Sequence, residues 1–106
     1  MIRKSFLIQL KEGMADEYVK RHDNIWPELK KTLKDHGISN YSIFMHEHSG
    51  MLFGYMEITS EPLLEQLARN EVMQRWWRYM TDVLESEDEF SQKAKEQSLK
   101  EVFHLS

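Results

Sequence analysis

Three stretches of the chain are rich in apolar residues with an imperfect period of two, and this pattern predicts β-strands. The stretches are Ile2–Leu10, Ile38–His46 and Met51–Ile58, and a shorter one, Leu99–Leu105, is predicted to be the last strand. The second and third stretches carry apolar residues on both faces. A sheet with one face in water should alternate more cleanly.

Between the strands, apolar residues recur every three or four positions, which is typical of helices. Proline is tolerated in the first turn of a helix but breaks its interior. The first helical region should therefore break near residues 23–26. The predicted helical stretches are Met14 to about His22, Pro27–His36, Leu63–Ala68 and about Val72 to Leu84.

Turn and capping residues fall at the expected boundaries. Residues 11–13 and 47–50 end in glycine and predict turns, Gly37 is a good stop for the second helix, and Ser60 is a candidate N-cap. The segment Asp82–Glu89 holds five acidic residues in eight. It predicts a solvated, mobile loop that continues to about Ser98.

The order strand, helix, strand, strand, helix, strand predicts an α+β fold of the ferredoxin-like split βαβ type. Helices would cover one face of a four-stranded antiparallel sheet. An apolar second face usually marks an interface, so we expect a sheet-to-sheet homodimer. Residues 1–106 are expected to form a single domain.

The composition of the chain disfavours several classes of function. The net charge is 14 − 18 = −4, which does not fit a nucleic-acid partner. The chain has no cysteine, which excludes disulfides and thiolate metal sites and fits a reducing cytoplasm. No apolar run is long enough to span a membrane, and the N-terminus is predicted to be a strand, not a signal peptide.

Aromatic residues concentrate in two clusters, Tyr18–Glu28 and Gln74–Met80, which hold all three tryptophans and two of the four tyrosines. Both clusters mix flat apolar rings with groups that donate or exchange protons. This mixture suits a small polar ligand with an apolar face, and a sugar is the leading example.

His22 is the candidate acid–base residue, since an ordinary histidine titrates near pH 6.5. Spacing alone favours a partly exposed helix histidine, but Tyr18, Arg21 and Trp26 crowd the same few residues. The proton-transfer interpretation gains weight from that crowding.

The two adjacent tryptophans and Tyr41 each allow two interpretations. Adjacent helical residues differ by about 100° in direction, so Trp76 and Trp77 either fill the core or place at least one ring in a pocket. Tyr41 either packs in the core or offers its hydroxyl at a sheet end.

The sequence gives little support for metal binding, phosphate binding or nucleophilic catalysis. His46 and His48 form an H-x-H pair without an identifiable third ligand, so we expect no metal. Glycine-rich phosphate loops and a nucleophile elbow are absent from the sequence. Simple proton transfer without a cofactor is favoured.

The sequence resembles the L-rhamnose mutarotase family along nearly its whole length. The matching strings are Met1–Lys4, Glu17-Tyr18, Arg21-His22, Ile25-Trp26-Pro27-Glu28-Leu29, Asn40-Tyr41-Ser42-Ile43, Gln74-Arg75-Trp76-Trp77-Arg78-Tyr79-Met80-Thr81-Asp82 and Glu101–Leu105.

The resemblance implies a cofactor-free, cytoplasmic, homodimeric enzyme that interconverts the α and β anomers of L-rhamnose. It implies that His22 is the proton donor and that Tyr18, Tyr41, Trp76 and Trp77 contact the sugar. The stretch 85–98 matches no motif. Open alternatives are a cofactor-free monooxygenase and a sugar-sensing dimer, whereas an RNA-binding module fits the acidic chain poorly.

Overall fold

The computed structural model describes residues 1–86 and 93–106, and within them four strands and four helices form an α+β arrangement. The strands are β1 (Ile2–Gln9), β2 (Ile38–His46), β3 (Met51–Ile58) and β4 (Glu96–Leu99). The helices are α1 (Ala15–Asp23), α2 (Pro27–Asp35), α3 (Glu61–Ala68) and α4 (Glu71–Met80).

The strands form one antiparallel sheet in the order β2-β3-β1-β4. This order confirms the predicted ferredoxin-like topology. The core lies between the helices and one face of the sheet, and its most deeply buried side chains are Leu29, Leu52, Ile58 and Val83. The first three strands and α2 lie where the hydrophobic pattern predicts them.

Local signals explain several boundaries. Pro27 stands at the start of α2, where its missing N–H costs nothing. Gly37 follows α2 with φ +80, and an added Cβ would lie 2.0 Å from the Thr59 hydroxyl. The Ser60 side chain accepts a hydrogen bond from the backbone N–H of Leu63 at 3.3 Å, which confirms the predicted N-cap of α3.

A β-bulge interrupts β2 between Ser39 and Ser42. Asn40 within it has φ 46, a left-handed conformation that asparagine tolerates better than most residues. Its side-chain amide donates to the Glu57 carboxylate at 3.0 Å. Bulges commonly re-aim a neighbouring side chain, and the neighbour here is Tyr41.

The predicted end of the last helix at Leu84 is wrong, since α4 ends at Met80. Val83 and Leu84 are buried, but Leu84 forms a bridge with Leu10 of the sheet instead of a further helical turn. The apolar pattern continued past the helix because the following turn also faces the core. The N-cap of α4, Asn70, went unpredicted, and its side chain accepts from two backbone N–H groups.

The predicted last strand, Leu99–Leu105, is also wrong in position, since β4 spans Glu96–Leu99. Residues 100–106 lie past it without strand structure, and their apolar side chains are largely exposed. An ion pair of 2.7 Å between Arg3 and Glu101 holds this tail beside β1. Strand position depends here on pairing with β1, and apolar content does not report pairing.

The predicted loop over the acidic segment is confirmed only in part. The Glu85 N–H donates to the Gln9 carbonyl at 2.8 Å, and the Lys95 N–H donates to the Glu85 carbonyl at 2.9 Å. The first bond ties the start of the segment to the sheet and the second ties Lys95 to Glu85, while residues 96–98 belong to β4 and are not a loop. Residues 87–92, on which the rest of that prediction falls, lie outside the described residues.

The sheet face away from the helices carries exposed aromatic rings. Phe44 is 67% exposed and Phe53 is 48% exposed, and the two residues pair across β2 and β3. In the described part of the chain, no helix is long and apolar enough to cross a membrane.

Candidate functional site

A cavity of about 200 Å³ opens between the helices and the sheet. All five residues singled out from the sequence line it: Tyr18, His22, Tyr41, Trp76 and Trp77. They come from α1, β2 and α4, so the fold brings together positions far apart in sequence. The volume lies below the roughly 300–1,000 Å³ of pockets for drug-sized ligands, which suits a small ligand.

His22 sits in the last turn of α1 with a defined ring orientation. Its Nδ1 lies 3.1 Å from the backbone carbonyl oxygen of Tyr18. A carbonyl oxygen only accepts hydrogen bonds, so we assign the proton to Nδ1. Nε2 is then the ring nitrogen that can exchange a proton with a ligand.

Two aromatic rings flank the imidazole. The Tyr18 ring lies 4.3 Å away between centroids, and the Trp76 ring meets it edge-on at 5.4 Å. Burial among these rings lowers the pKa of His22, while the hydrogen bond to Tyr18 and the charge of Asp23 act in the opposite direction. Neutral His22 therefore dominates at neutral pH.

Both cavity tyrosines hold their protons strongly. Burial raises the pKa of Tyr18. Burial also raises the pKa of Tyr41, with smaller contributions from Tyr18 and Glu96. Tyr41 as a whole residue is 39% exposed, but its hydroxyl is buried. Both hydroxyls are thus neutral hydrogen-bonding groups at physiological pH.

The adjacent tryptophans combine the two interpretations left open by the sequence. Trp76 is buried in the core and also lines the cavity, whereas Trp77 is only partly buried and lines the cavity beside it. Trp26 does not line this cavity. Its ring packs edge-on against the Trp76 ring, with 5.1 Å between the ring centroids, and so supports a residue of the cavity wall.

Arg21 points away from the cavity and joins α1 to α4. It donates to the Tyr79 carbonyl at 2.6 Å and forms ion pairs with Glu17 and Asp82. Its guanidinium also lies 3.9 Å from the centroid of the Tyr79 ring. Of the residues that crowd His22 in sequence, Tyr18 shares its cavity, while Arg21 and Trp26 support the wall.

Two charged cavity residues were not singled out from the sequence, Lys93 and Glu96. The Lys93 ammonium lies 4.3 Å from the centroid of the Trp77 ring, which is a cation–π contact. Both residues belong to the stretch that matched no motif. A strand register that places Glu96 opposite Ile8 was the missing information.

The H-x-H pair spans the last residue of β2 and the β2–β3 turn, and neither histidine lines the cavity. The His46 and His48 rings are 6.4 Å apart, and His46 Nδ1 contacts the Ser49 hydroxyl at 2.7 Å. Among the residues that the structure describes, no group of three or more His, Cys, Asp or Glu side chains could hold a metal ion.

The fold and the cavity together define a class: ferredoxin-like α+β proteins with a small aromatic pocket built around a histidine that can exchange a proton. A family model described as L-rhamnose mutarotase matches residues 3–105. The chain therefore belongs to the L-rhamnose mutarotase family.

Individual relatives agree with this assignment. The chain is 47% identical to an L-rhamnose mutarotase of Opitutus terrae and 43% identical to one of Lachnoclostridium phytofermentans, with 99% of each chain covered. The crystal structure of an L-rhamnose mutarotase from Formosa agariphila matches with TM-score 0.87 and 35% identity over 100% of both chains. An antibiotic biosynthesis monooxygenase, with TM-score 0.64 and 12% identity over 96% of this chain and 99% of that one, shares the fold alone.

Proposed function

We propose that this chain is a mutarotase that interconverts the α and β anomers of L-rhamnose. One observation carries the proposal: the five residues implied by the family resemblance line a single small cavity, although α1, β2 and α4 supply them separately. A shared cavity is what a common ligand requires.

The reaction opens and closes the sugar ring with the help of two proton transfers. Ring opening breaks the bond between the anomeric carbon and the ring oxygen, delivers a proton to that oxygen and removes one from the anomeric hydroxyl. Rotation of the aldehyde followed by closure gives the other anomer. No net oxidation occurs, so the proposal needs no cofactor. Positioned acid–base groups contribute roughly 10²–10⁴-fold, which suits a reaction that already proceeds in water.

His22 is assigned as the proton donor to the ring oxygen. The Nδ1 contact with the Tyr18 carbonyl leaves Nε2 as the transferring atom in both protonation states. Burial lowers the pKa of His22 and so makes its imidazolium a stronger acid once formed.

Tyr18, Tyr41, Trp76 and Trp77 are assigned to sugar binding. The tyrosine hydroxyls, kept protonated by burial, can donate to and accept from sugar hydroxyls. The indole rings offer flat apolar surfaces to the side of the sugar that carries the 6-methyl group, and an indole N–H adds one donor.

Exchange NMR on the anomeric protons of L-rhamnose tests this function. The native protein should speed α/β exchange, and His22→Asn should remove most of the acceleration. His36→Asn is a matched control, because His36 also directs Nδ1 to a carbonyl one turn back, that of Thr32 at 2.7 Å, but lies outside the cavity.

The possible outcomes separate the alternatives. Acceleration that survives His22→Asn would remove the assignment of the acid while keeping the activity. A folded native protein that binds L-rhamnose without accelerating exchange would instead favour the sugar-sensing interpretation.

We further assign the exposed aromatic face of the sheet to contact with a second copy of the chain. Phe44 and Phe53 support this assignment, since contiguous exposed apolar surface usually marks an interface. Light scattering on Phe44→Glu should then report a monomer where the native chain is a dimer. Gln66→Glu at an exposed position of α3 makes the same change in charge away from that face. A native chain that is monomeric at micromolar concentration would refute the assignment.

Two further assignments rest on the family resemblance and the composition: residues 1–106 act as one mutarotase domain, and the protein works in the cytoplasm. Cooperative unfolding with coincident transitions for Trp fluorescence and circular dichroism would support the first. Cell fractionation would test the second.

A further inference from the structure

Mutarotation needs two proton-transfer groups, and His22 supplies only one. While a proton goes to the ring oxygen, another must leave the anomeric hydroxyl. The following inference deepens the proposed mutarotase function and rests on it. The question is which cavity residue can accept the second proton.

Glu96 is the one carboxylate among the described residues that line this cavity. It lies on β4 directly opposite Ile8 of β1, and paired residues direct their side chains to the same face of a sheet. Ile8 lines the same cavity. The register therefore aims Glu96 at the space that His22 borders, although its own strand is at the sheet edge.

Tyr41 lines the same cavity as Glu96 and is affected by its charge. It starts from β2, at the opposite edge of the sheet, and its ring meets the Phe6 ring edge-on at 6.2 Å. Between them β3 has Gly54, which presents no side chain. The charge of Glu96 acts on the Tyr41 hydroxyl and contributes to raising its pKa. Glu96 and Tyr41 thus line the same cavity, close enough for the charge of Glu96 to act on the Tyr41 hydroxyl.

The other candidates fit the role less well. Burial keeps Tyr18 and Tyr41 protonated, so neither presents an anionic oxygen. Lys93 carries an ammonium group, which only donates. Asp23 follows His22 in sequence, but it lines only an adjoining cavity, which shares four of the five site residues and lacks Trp77.

We propose that Glu96 is the proton acceptor that works with His22. In ring opening the Glu96 carboxylate takes the proton of the anomeric hydroxyl, and the carbon–oxygen double bond forms as the bond to the ring oxygen breaks. The ring oxygen takes its proton from Nε2 of the His22 imidazolium, the form in which both ring nitrogens carry a proton. Closure on the other face returns both protons, so the cycle leaves the protein unchanged.

The test separates catalysis from binding. Anomer exchange is measured by NMR over a range of L-rhamnose concentrations for the native protein, Glu96→Gln and Glu96→Ala. Glu65→Gln on the surface of α3 removes the same charge outside the cavity and should keep the native rate. Thermal unfolding checks that every variant is folded.

Glu96→Gln should lower kcat by about 100-fold, in the range for a positioned acid–base group. KM should change by no more than about twofold, because the amide keeps the shape of the side chain. In Glu96→Ala, added formate should restore part of kcat by supplying a carboxylate, which a structural role of Glu96 would not allow.

Three results would overturn the proposal: a kcat of Glu96→Gln near the native value, a change confined to KM, or no recovery with formate. The His22→Asn variant, measured in parallel, keeps the two proposals apart. Loss of exchange in His22→Asn with full exchange in Glu96→Gln would refute the acceptor alone. A native protein that does not accelerate exchange would refute the function itself.

Discussion

Gly54 offers a sharp test of how the sheet shapes the cavity. It lies on β3 opposite Phe6, and a Cβ added there would fall 2.0 Å from the Phe6 Cζ. Ordinary contacts begin at 3.4 Å, so the Phe6 ring would have to retreat by about 1.4 Å. Phe6 is only 5% exposed and lines the cavity, so its ring could move only at the expense of the cavity and its contact with Tyr41.

Gly54→Ala should therefore destabilise the fold. Overpacking of a filled core costs about 1–3 kcal/mol, while replacing glycine restricts the unfolded chain and returns about 0.4–1 kcal/mol. We expect a net loss of about 1–2 kcal/mol in the free energy of unfolding, measured by urea denaturation. The displaced ring should also disturb Tyr41, so anomer exchange should slow.

A double-mutant cycle with Phe6→Leu assigns the cause. If the Phe6 ring is the obstacle, Phe6→Leu should cost less in the Gly54→Ala background than in the native one, with a coupling above about 0.5 kcal/mol. Costs that add without coupling would refute the packing argument. So would a Gly54→Ala variant as stable as the native chain.

Three further predictions concern helix ends and the histidine. Asn70→Ala should cost about 0.5–2 kcal/mol in urea denaturation, because Asn70 caps the helix that carries Trp76; an unchanged midpoint would contradict this. Arg21→Lys should cost about 1–3 kcal/mol in the same assay, since lysine cannot keep both the Tyr79 carbonyl bond and the ion pairs; equal stability would argue against the link between α1 and α4. Because burial lowers the pKa of His22 in the folded state, its contribution to stability should be complete above the unfolded value near pH 6.5 and be lost as pH falls below it. An NMR titration should find the folded pKa below 6.5, and His22→Asn should weaken the stability loss on acidification; a pKa at or above 6.5 would refute this.

Much of the fold follows from local patterns because those patterns report burial directly. The predicted strands β2 and β3 are present, Pro27 and Gly37 bound α2, and Ser60 caps α3, as the local patterns indicate. Burial without regular structure misled the prediction at Val83–Leu84, which fill the core from a turn. Apolar content without pairing misled it at residues 100–106, where the tail lies beside β1 without joining the sheet.

Some residues of the site can be predicted from local spacing, whereas others depend on how the strands pair. Tyr18 and His22 are one helical turn apart, so the spacing alone predicts that their rings meet, as they do at 4.3 Å. Tyr41 reaches the cavity only through the bulge beside Asn40. The sequence left its core and pocket interpretations open, and the family resemblance alone implied its role.

Glu96 depends entirely on tertiary pairing, since the strand that carries it is a four-residue edge strand with one apolar residue. Nothing in its local sequence distinguishes it from the other exposed acids of an acidic chain. What distinguishes it is the register with Ile8, together with the absence of a side chain at Gly54, across which Tyr41 and Phe6 approach each other. If Glu96 accepts the second proton, the acid and the acceptor come from α1 and β4, near opposite ends of the chain. The activity would then depend on closing the sheet with β4, so weakening the β1–β4 pairing should reduce exchange even when His22 and its aromatic neighbours are intact.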